Sequence, residues 1–306
     1  MKDIIVLGDL NLDIILSGIE NTPSFGHEIV AKNCTMKPGG SAANVAMILA
    51  LNGCPVSFYG EVGRDKAGEF VVEGLRSYGL GVENLVFSDA VSTGLTISLT
   101  YPEDRMYITH PGTVASFSTE HFRQNCMQNG VHFHLSSYFL MEGLRKGMGP
   151  LLRRAREAGM STSLDPGGDP TGTWDLGGLD GCLQYLDYFM PSSDELLGIM
   201  GSRDLEEALV RFPDTVRCVV VKEGQNGAIT RYGGRIERHP PVKVKVVDTT
   251  CAGDCFDAGF LYGLSRGEDV SRCVRWGNLF GAQAVSLVGL PDITIDEFLK
   301  KIGMQQ

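Results

Sequence analysis

The amino-acid sequence predicts an α/β fold in which helices cover both faces of a mainly parallel sheet and a smaller sheet stands to one side. Continuous apolar runs such as residues 4–8, typical of strands buried on both faces, alternate with segments of helical periodicity. Residues 14–37 and 93–113 interrupt this alternation with strand-like patterns. We therefore expect one domain over residues 1–306, with a lid formed by these two insertions.

In the N-terminal half, strands and glycine-terminated helices follow one another. We expect helices over residues 41–52 and 65–79 on either side of a strand at 55–60. The alternation of residues 93–110 around Pro102-Glu103-Asp104 predicts a hairpin.

The C-terminal half alternates more regularly, which predicts βαβ units and a parallel sheet. The helices are expected over residues 118–129, 141–158 and 192–211. The strands are expected over residues 131–135, 161–164, 186–190 and 217–222, followed by a β-meander from 227 to 248. The last strand of that meander is the alternating segment 242–247.

Composition and charge exclude several classes of protein. The net charge of −10 argues against nucleic acid or an anionic membrane as a partner. No apolar run approaches the roughly 20 residues of a membrane span. Because the chain goes from Met1 directly into a strand, we expect no signal peptide and a cytoplasmic protein. The eight cysteines lie singly, without CxxC spacing, and we expect Cys251 and Cys255 to be packing residues in a reducing compartment.

Polar side chains follow the first predicted strand, and a glycine pair opens the first predicted helix. Asp9, Asn11 and Asp13 alternate just past the strand's carboxyl end, the edge where open α/β sheets bind ligands. A plain polar turn explains these residues equally well. Gly39-Gly40 would let a backbone approach a ligand closely, and the amide of Asn44 in the same helix start needs a polar partner.

A second glycine motif lies near the C-terminus, in residues 248–260. Ala252 and Gly253 fall where a strand is expected to turn into a helix, so their amides have no partner within the helix and point toward any anion. Asp254 lies in the same turn. A carboxylate beside free donors suits proton removal from a hydroxyl while charge builds on a phosphate. The alternative is that Asp254 only caps the helix, as Asp commonly does.

His132 and His134 lie two residues apart on a predicted strand and so face the same side. A metal pair is one interpretation. Because the sequence places no third ligand near them, we favour structural histidines with hydrogen-bond partners.

The two glycine motifs, residues 39–44 and 248–260, resemble the two signatures of the ribokinase-like (phosphofructokinase-B type) carbohydrate kinases. The resemblance covers nearly the whole chain and implies a three-layer α/β/α fold with a β-sheet lid. It implies ATP-dependent phosphorylation of a sugar hydroxyl, with Asp254 as base. The amides of Ala252, Gly253 and Asp254 would form the anion hole, and Cys251 would be the catalytic residue directly before them. The residues that would hold the sugar are Asn11, Asp13, Gly39, Gly40 and Asn44.

The resemblance also implies a nucleotide side, cofactors and a partner. The residues bordering ATP would be Ser192, Lys222, Gly224, Gly227 and Asn278. Glu195 would organise water bound to Mg²⁺, and Asp248 with Thr250 could offer oxygen ligands to K⁺. The lid would close over the sugar, exclude water and mediate a homodimer.

Two positions depart from the family pattern. The family usually has glycine where this chain has Cys251, and we expect the cysteine to require a negative φ. Ser192 replaces an asparagine of the family's Asn-x-x-Glu element, and its hydroxyl has a shorter reach. An acid that some members carry after the middle strand is not evident at Ser136-Ser137, which leaves the substrate open.

Two other functions remain as alternatives, a nucleoside kinase and a non-catalytic sensor. A nucleoside kinase of the same fold would need an aromatic platform in the lid, which Phe25, Tyr101 or Tyr107 could provide. A phosphosugar substrate is disfavoured, because the segment from Asp9 to Asp13 offers carboxylates rather than cations. A non-catalytic sugar or nucleotide sensor is favoured only by the two departures, and Asp254 argues against it.

Overall fold

A computed structural model describes residues 3–101, 105–122, 127 and 129–304. The strands are β1 Asp3–Leu7, β2 Asn11–Ser17, β3 Asn33–Gly39, β4 Val56–Tyr59, β5 Glu61–Gly63, β6 Val86–Ser88, β7 Gly94–Thr100, β8 Arg105–His110, β9 Gly130–Leu135, β10 Ser161–Leu164, β11 Tyr188–Phe189, β12 Cys218–Lys222, β13 Ala228–Tyr232 and β14 Arg235–His239. The helices are α1 Ser41–Leu51, α2 Lys66–Ser77, α3 Thr113–Ser116, α4 Glu142–Glu157, α5 Leu179–Leu183, α6 Ser193–Met200, α7 Leu205–Arg211, α8 Ala252–Ser265, α9 Val270–Val285 and α10 Ile295–Lys301.

The main sheet has eight strands in the order β14-β13-β12-β11-β10-β9-β1-β4. The six neighbouring strands β4, β1, β9, β10, β11 and β12 pair in parallel, and β13 and β14 add an antiparallel edge. This confirms the mainly parallel sheet that the apolar runs predict, since strands with helices on both faces have no polar side.

Alternate residues of the strands feed two separate cores, one on each face. In β1, Ile4 and Val6 pack in one core, whereas Ile5 and Leu7 pack in the other. The first core includes residues of α1, α2, α8, α9 and α10, and the second includes residues of α4, α5, α6 and α7. The result is the three-layer architecture expected from the sequence. Among the described residues, no helix has the length and apolar character that crossing a bilayer requires.

Four strands from the two insertions form a second sheet, in the order β3-β2-β7-β8. We call this sheet the lid. Strand β2 pairs antiparallel with β3 and parallel with β7, and β7 pairs antiparallel with β8. Side chains alternate between an inner face, which carries Asp13, Thr96 and Thr109, and an outer face, which carries Ile14 and Ile108. The Pro102-Glu103-Asp104 turn predicted for the hairpin lies outside the described residues.

Two predicted elements differ from what the described residues show. Residues 242–247 belong to no strand: Val242 and Val244 pack against a core, but the segment joins neither sheet. Pro240 and Pro241 directly precede this segment, and proline has no N–H with which to continue a ladder. The helix predicted over 118–129 is a 3-10 turn at Thr119–His121, while residues 123–126 and 128 of that prediction lie outside the described residues.

Candidate active site

The first turns of α1 and α8 meet at the carboxyl edge of the main sheet and form one polar site. The two carboxylate oxygens of Asp254 accept hydrogen bonds from the Ser41 hydroxyl at 2.7 Å and from the Asn44 amide at 2.7 Å. Two glycine motifs about two hundred residues apart in the chain are therefore in direct contact.

Asp254 does not cap its own helix, which rules out the capping interpretation. The N-cap of α8 is Cys251, and no side chain caps the helix there. Asp254 lies in the first turn, and both of its oxygens are bonded to α1. The Gly253 amide has no acceptor one turn earlier in the helix, whereas the Ala252 amide donates to the Thr249 carbonyl at 3.4 Å. A β-carbon added at Gly253 would have only Lys222 atoms near it, none closer than 3.7 Å, so the turn is open on that side.

Cys251 adopts φ 58°, so the expectation of a negative φ is wrong. The chain must turn abruptly from the segment 248–250 into α8, and a left-handed residue makes that turn. For a residue with a side chain this conformation costs about 1–2 kcal/mol. The Asn44 amide also lies 3.4 Å from the Cys251 sulfur, so the side chain is in contact with the site.

The α1 end of the site is fixed by Asp9 and Gly40. The Asp9 carboxylate accepts hydrogen bonds from the backbone amides of Ser41 and Ala42, both at 2.9 Å. Gly40 has φ 103°, and a β-carbon there would lie 2.5 Å from the Asp9 carbonyl oxygen. Only glycine permits this approach. Asp9 therefore holds the helix that carries Asn44.

Asn11 and Asp13 lie where the lid joins the main domain. The Asn11 amide donates to the Asp13 carboxylate at 2.6 Å and to the Thr96 hydroxyl at 3.4 Å. Burial raises the pKa of Asp13 to about 7, although the Asn11 hydrogen bond opposes the shift. Gly39 packs against Asp13, because a β-carbon at 39 would lie 2.3 Å from that carboxyl group.

Asn44 has one unused acceptor. Its Oδ1 is buried and has no hydrogen-bond partner among the residues that the structure describes. Leaving such an atom without a partner costs about 1–3 kcal/mol. A ligand hydroxyl would satisfy it.

Burial raises the pKa of Asp254, and the hydrogen bonds from Asn44 and Ser41 oppose that rise. The direction matters for chemistry, since a carboxylate with a raised pKa is a stronger base than an ordinary aspartate. The position of the group and its basicity both suit proton abstraction.

Lys222 is buried below the α8 turn, between two carboxylates. Its Nζ lies 2.8 Å from Asp165 and 3.2 Å from Asp257. Burial by itself would lower the pKa of Lys222, but Asp165 and Asp257 raise it, so the amine stays charged. Burial, together with Asp165, raises the pKa of Asp257. Lys222 therefore provides a positive charge close to Gly253, fixed in place by Asp165 and Asp257.

The other residues expected at the nucleotide lie on different elements. Gly224 and Gly227 lie in and directly after the 3-10 turn that follows β12, whereas Asn278 lies within α9. Gly224 has φ 55° with open space around its α-carbon, whereas a β-carbon at Gly227 would lie 2.1 Å from the His239 carbonyl oxygen. The Asn278 amide donates to the Pro240 carbonyl at 3.1 Å, so it holds the loop after β14. Gly227 and Asn278 thus have structural roles that sequence reasoning did not anticipate.

Ser192 and Glu195 form a capping box at the start of α6. The Ser192 hydroxyl accepts from the Glu195 amide at 3.3 Å, and Glu195 accepts from the Ser192 amide at 2.7 Å. Burial raises the pKa of Glu195 to about 7, and the nearby Asp165 adds to the rise. Among the described residues no group of three or more His, Cys, Asp or Glu could hold a metal ion by itself. A single carboxylate suits Mg²⁺ only together with waters and substrate phosphates, which is how this ion commonly binds.

Asp248 and Thr250 are bonded to each other just before the α8 turn. The Asp248 Oδ1 accepts from the Thr250 amide at 2.9 Å and from the Thr250 hydroxyl at 2.6 Å. The Asp248 Oδ2 accepts from the Gly289 amide at 2.9 Å. The Arg105 guanidinium, from the lid, donates to the hydroxyls of Thr249 and Thr250.

His132 and His134 are structural, as the sequence favours. Each of their four ring nitrogens has a serine hydroxyl 2.7–2.9 Å away, from Ser161, Ser163 or Ser136. Burial lowers the pKa of His132 to about 3 and that of His134 to about 4, so both rings are neutral.

Sequence reasoning did not assign a role to four residues of this site: Ser41, Arg105, Asp165 and Asp257. Ser41 and Asp257 lie inside the two quoted motifs, and Asp165 directly follows β10, so position after a strand could have indicated it. Nothing in the sequence connects Arg105 to residues 249 and 250, because that contact depends on how the lid lies over the main domain.

Comparisons with known proteins identify the family of the chain. The model of the pfkB family of carbohydrate kinases matches residues 1–294. The ribokinase of Lactococcus lactis is 26% identical over 291 residues, which cover 90% of this chain and 88% of that protein. The ATP-dependent ribose-1-phosphate kinase of Halopiger xanaduensis is 29% identical over 283 residues, which cover 92% of this chain and 91% of that protein.

A solved structure shows the same fold. A protein assigned as ribokinase II from E. coli, in complex with ATP and Mg²⁺, superposes with a TM-score of 0.84 at 22% identity and covers 98% of this chain and 100% of that one. The family model spans nearly the whole chain, and the two glycine motifs that carry the resemblance form one site. The chain belongs to the pfkB family of carbohydrate kinases.

Proposed function

We propose that this carbohydrate kinase transfers the γ-phosphoryl group of ATP to a hydroxyl of a sugar, with Asp254 as the base. The observation that carries the proposal is the pair of hydrogen bonds that Ser41 and Asn44 donate to Asp254. They orient the carboxylate toward the end of α1, where the sugar-binding residues lie. A base must be held within hydrogen-bond reach of the proton it removes.

Proton transfer and phosphoryl transfer occur in one step at this turn. The acceptor oxygen forms a bond to the γ-phosphorus, the bond from that phosphorus to the β–γ bridging oxygen breaks, and ADP leaves. The proton of the acceptor hydroxyl passes to Asp254. The amides of residues 252–254 form the anion hole, where one preorganised donor is worth about 3–4 kcal/mol.

The sugar site consists of Asn11, Asp13, Gly39, Gly40 and Asn44. Asn11 and Asp13 are already paired at 2.6 Å, which presents a donor and an acceptor together. The buried Oδ1 of Asn44 needs a donor, and a sugar hydroxyl can supply it. Sites that pair polar groups in this way reject analogues that lack the matching hydroxyl.

The nucleotide side consists of Lys222, Gly224, Gly227, Asn278 and Ser192. Lys222 stays positively charged between Asp165 and Asp257, and this charge attracts the negatively charged phosphates of the nucleotide. Glu195 would organise water of a nucleotide-bound Mg²⁺, which supplies charge neutralisation on the phosphates when bound.

A nucleoside acceptor is the second candidate, and one observation favours it. Tyr107 lies on the inner face of the lid, two residues from Arg105, and is 56% exposed. A ring in that position could stack on a base. Phe25 is fully exposed and the Tyr101 hydroxyl is buried, so neither offers a comparable platform.

The homodimer expected from the sequence has support on the lid's outer face. Met36, Ile14, Ile97 and Ile108 lie side by side in register across its four strands. Met36 and Ile108 are 45% and 60% exposed, whereas Ile14 and Ile97 are partly buried, so the two ends of the row are open to solvent. Burial of this row against a second copy would be favourable. The mass of the protein in analytical ultracentrifugation tests this proposal.

The proposed reaction is tested with the variant Asp254→Asn. The control is Asp89→Asn, which changes an exposed aspartate. We expect Asp254→Asn to lower kcat by at least about a thousandfold while calorimetric ATP affinity is largely kept. Near-normal turnover in Asp254→Asn would remove the residue from its role. The acceptor panel contains ribose, ribose 1-phosphate and nucleosides. Wild-type protein that binds a member of the panel but transfers phosphate to none of them would instead support a sensor.

A further inference from the structure

We infer that Arg105 is a positioning residue that ties the lid to the anion-hole turn and supplies there the positive charge that a monovalent cation would otherwise bring. The inference rests on the proposed function, because it concerns the geometry of the same site. It replaces the K⁺ expected at Asp248 and Thr250.

Arg105 joins parts of the chain that are far apart in sequence. It is the first residue of β8, and its guanidinium donates one hydrogen bond to the Thr250 hydroxyl and another to the Thr249 hydroxyl. Its Nη1 also lies 3.7 Å from Asp248. The side chains of Arg105 and Asp248 are only 20% and 24% exposed, so water screens this charge pair weakly. The planar fork of arginine suits two adjacent acceptors.

The segment that Arg105 holds leads directly into the anion hole. The Thr249 carbonyl accepts from the Ala252 amide at 3.4 Å, and the Asp248 carboxylate accepts from the Thr250 amide at 2.9 Å. Cys251, the next residue, makes the left-handed turn into α8. A shift of residues 249 and 250 therefore moves the amides of the hole. Misplacement by about 1 Å is enough to lower a rate a hundredfold.

A second cation holds the opposite edge of the lid. Lys37, on β3, donates from its Nζ to the Val288 carbonyl at 3.1 Å. The neighbouring Gly289 amide is the one bonded to Asp248. The two edges of the lid thus contact the two segments that Asp248 joins, and lid position and turn geometry are coupled.

The groups expected to bind K⁺ do not fit that ion. The two Asp248 oxygens already accept three hydrogen bonds, from the Thr250 amide, the Thr250 hydroxyl and the Gly289 amide. The Thr250 hydroxyl donates to Asp248 and accepts from Arg105. A potassium ion on these oxygens would lie beside a guanidinium of the same sign, which disfavours it. Arg105 therefore fills the cationic position from within the chain.

The experiment compares Arg105→Ala and Arg105→Lys with Arg64→Ala. Arg64 is the matched control because it is an exposed arginine outside the lid that pairs with Asp89 at 3.2 Å. Each variant is assayed for kcat and for the KM of both substrates, with and without millimolar guanidinium ion and with K⁺ or Na⁺. Hydrogen exchange of the amides in residues 248–255 is measured on the same proteins without substrate.

We expect Arg105→Ala to lower kcat at least about tenfold, to speed exchange of those amides, and to regain part of its rate with guanidinium. Arg105→Lys keeps the positive charge but lacks the planar guanidinium. Its kcat should lie between that of Arg105→Ala and that of the wild type. Arg64→Ala should have the kcat and the amide exchange of the wild type. The wild-type rate should be the same in K⁺ and in Na⁺.

Two results would overturn the inference: unchanged exchange in Arg105→Ala, or a wild-type enzyme whose turnover requires K⁺. Failure of the proposed function looks different. In that case the wild type transfers no phosphate to any acceptor, yet the exchange measurement still reports whether Arg105 holds the turn.

Discussion

Replacing Asn44 by alanine should change the pH dependence of the reaction as well as its rate. The Asn44 amide donates to the Asp254 carboxylate at 2.7 Å. This bond favours the charged form of the aspartate and so opposes the rise in its pKa that burial causes. Without the bond, the pKa of Asp254 rises further, and a higher pH is needed to ionise the base.

The size of the shift follows from the strength of the bond. A hydrogen bond to a charged group contributes about 1.5–3 kcal/mol, and one pKa unit corresponds to about 1.4 kcal/mol. The full loss would raise the pKa by about one to two units. Because Asp254 is only half-buried, water replaces part of the lost bond, and we expect about one unit.

The assay is the pH profile of kcat/KM for the sugar, whose acidic limb reports the base in the free enzyme. In Asn44→Ala that limb should move up by about one pH unit. Ser41→Ala removes the other donor and should move the limb in the same direction. Asn33→Ala, in the exposed part of the lid, is the control and should leave it in place.

One result would refute the reasoning. If kcat/KM of Asn44→Ala falls equally at every pH and the limb stays where it is, Asn44 contacts the sugar but does not tune Asp254. The assignment of Asp254 as the titrating base would then lose its support.

Two further predictions concern stability. Gly40→Ala should lower the free energy of unfolding in urea by at least about 3 kcal/mol, because the new methyl meets the Asp9 carbonyl and φ is 103°. Gly53→Ala, at φ 72° with open space around it, should cost only about 1 kcal/mol, and equal losses would contradict the steric argument. Folding raises the pKa of Asp13 from its ordinary value of 3.8 to about 7, so the folded protein holds this proton more tightly and loses stability as pH rises between those values. Asp13→Asn should therefore raise the melting temperature much more above about pH 7 than near about pH 4. The same change should weaken sugar binding. A gain in melting temperature that does not depend on pH would show that Asp13 is already ionised in the folded protein.

Much of the fold could be predicted because local patterns encode it. Residues 4–7 of β1 and residues 218–221 of β12 are all hydrophobic, which is typical of a strand buried on both faces. The same reasoning failed at residues 242–247, where the alternation reflects one-sided packing of Val242 and Val244 without strand pairing. Periodicity reports which side chains are buried and leaves open whether the backbone finds a partner.

The layered sheet, the lid strands and the two glycine motifs follow from the order of amino acids alone, because periodicity and turn chemistry act over a few neighbouring residues. The folded structure was needed to show that Asn44 and Ser41 donate hydrogen bonds to Asp254 and that Cys251 has a positive φ. It also showed that Lys222 lies between Asp165 and Asp257. It alone placed Arg105 on Thr249 and Thr250. Hydrogen bonds and charges act over a few ångströms in space, and partners separated by tens to hundreds of residues meet only once the chain has folded.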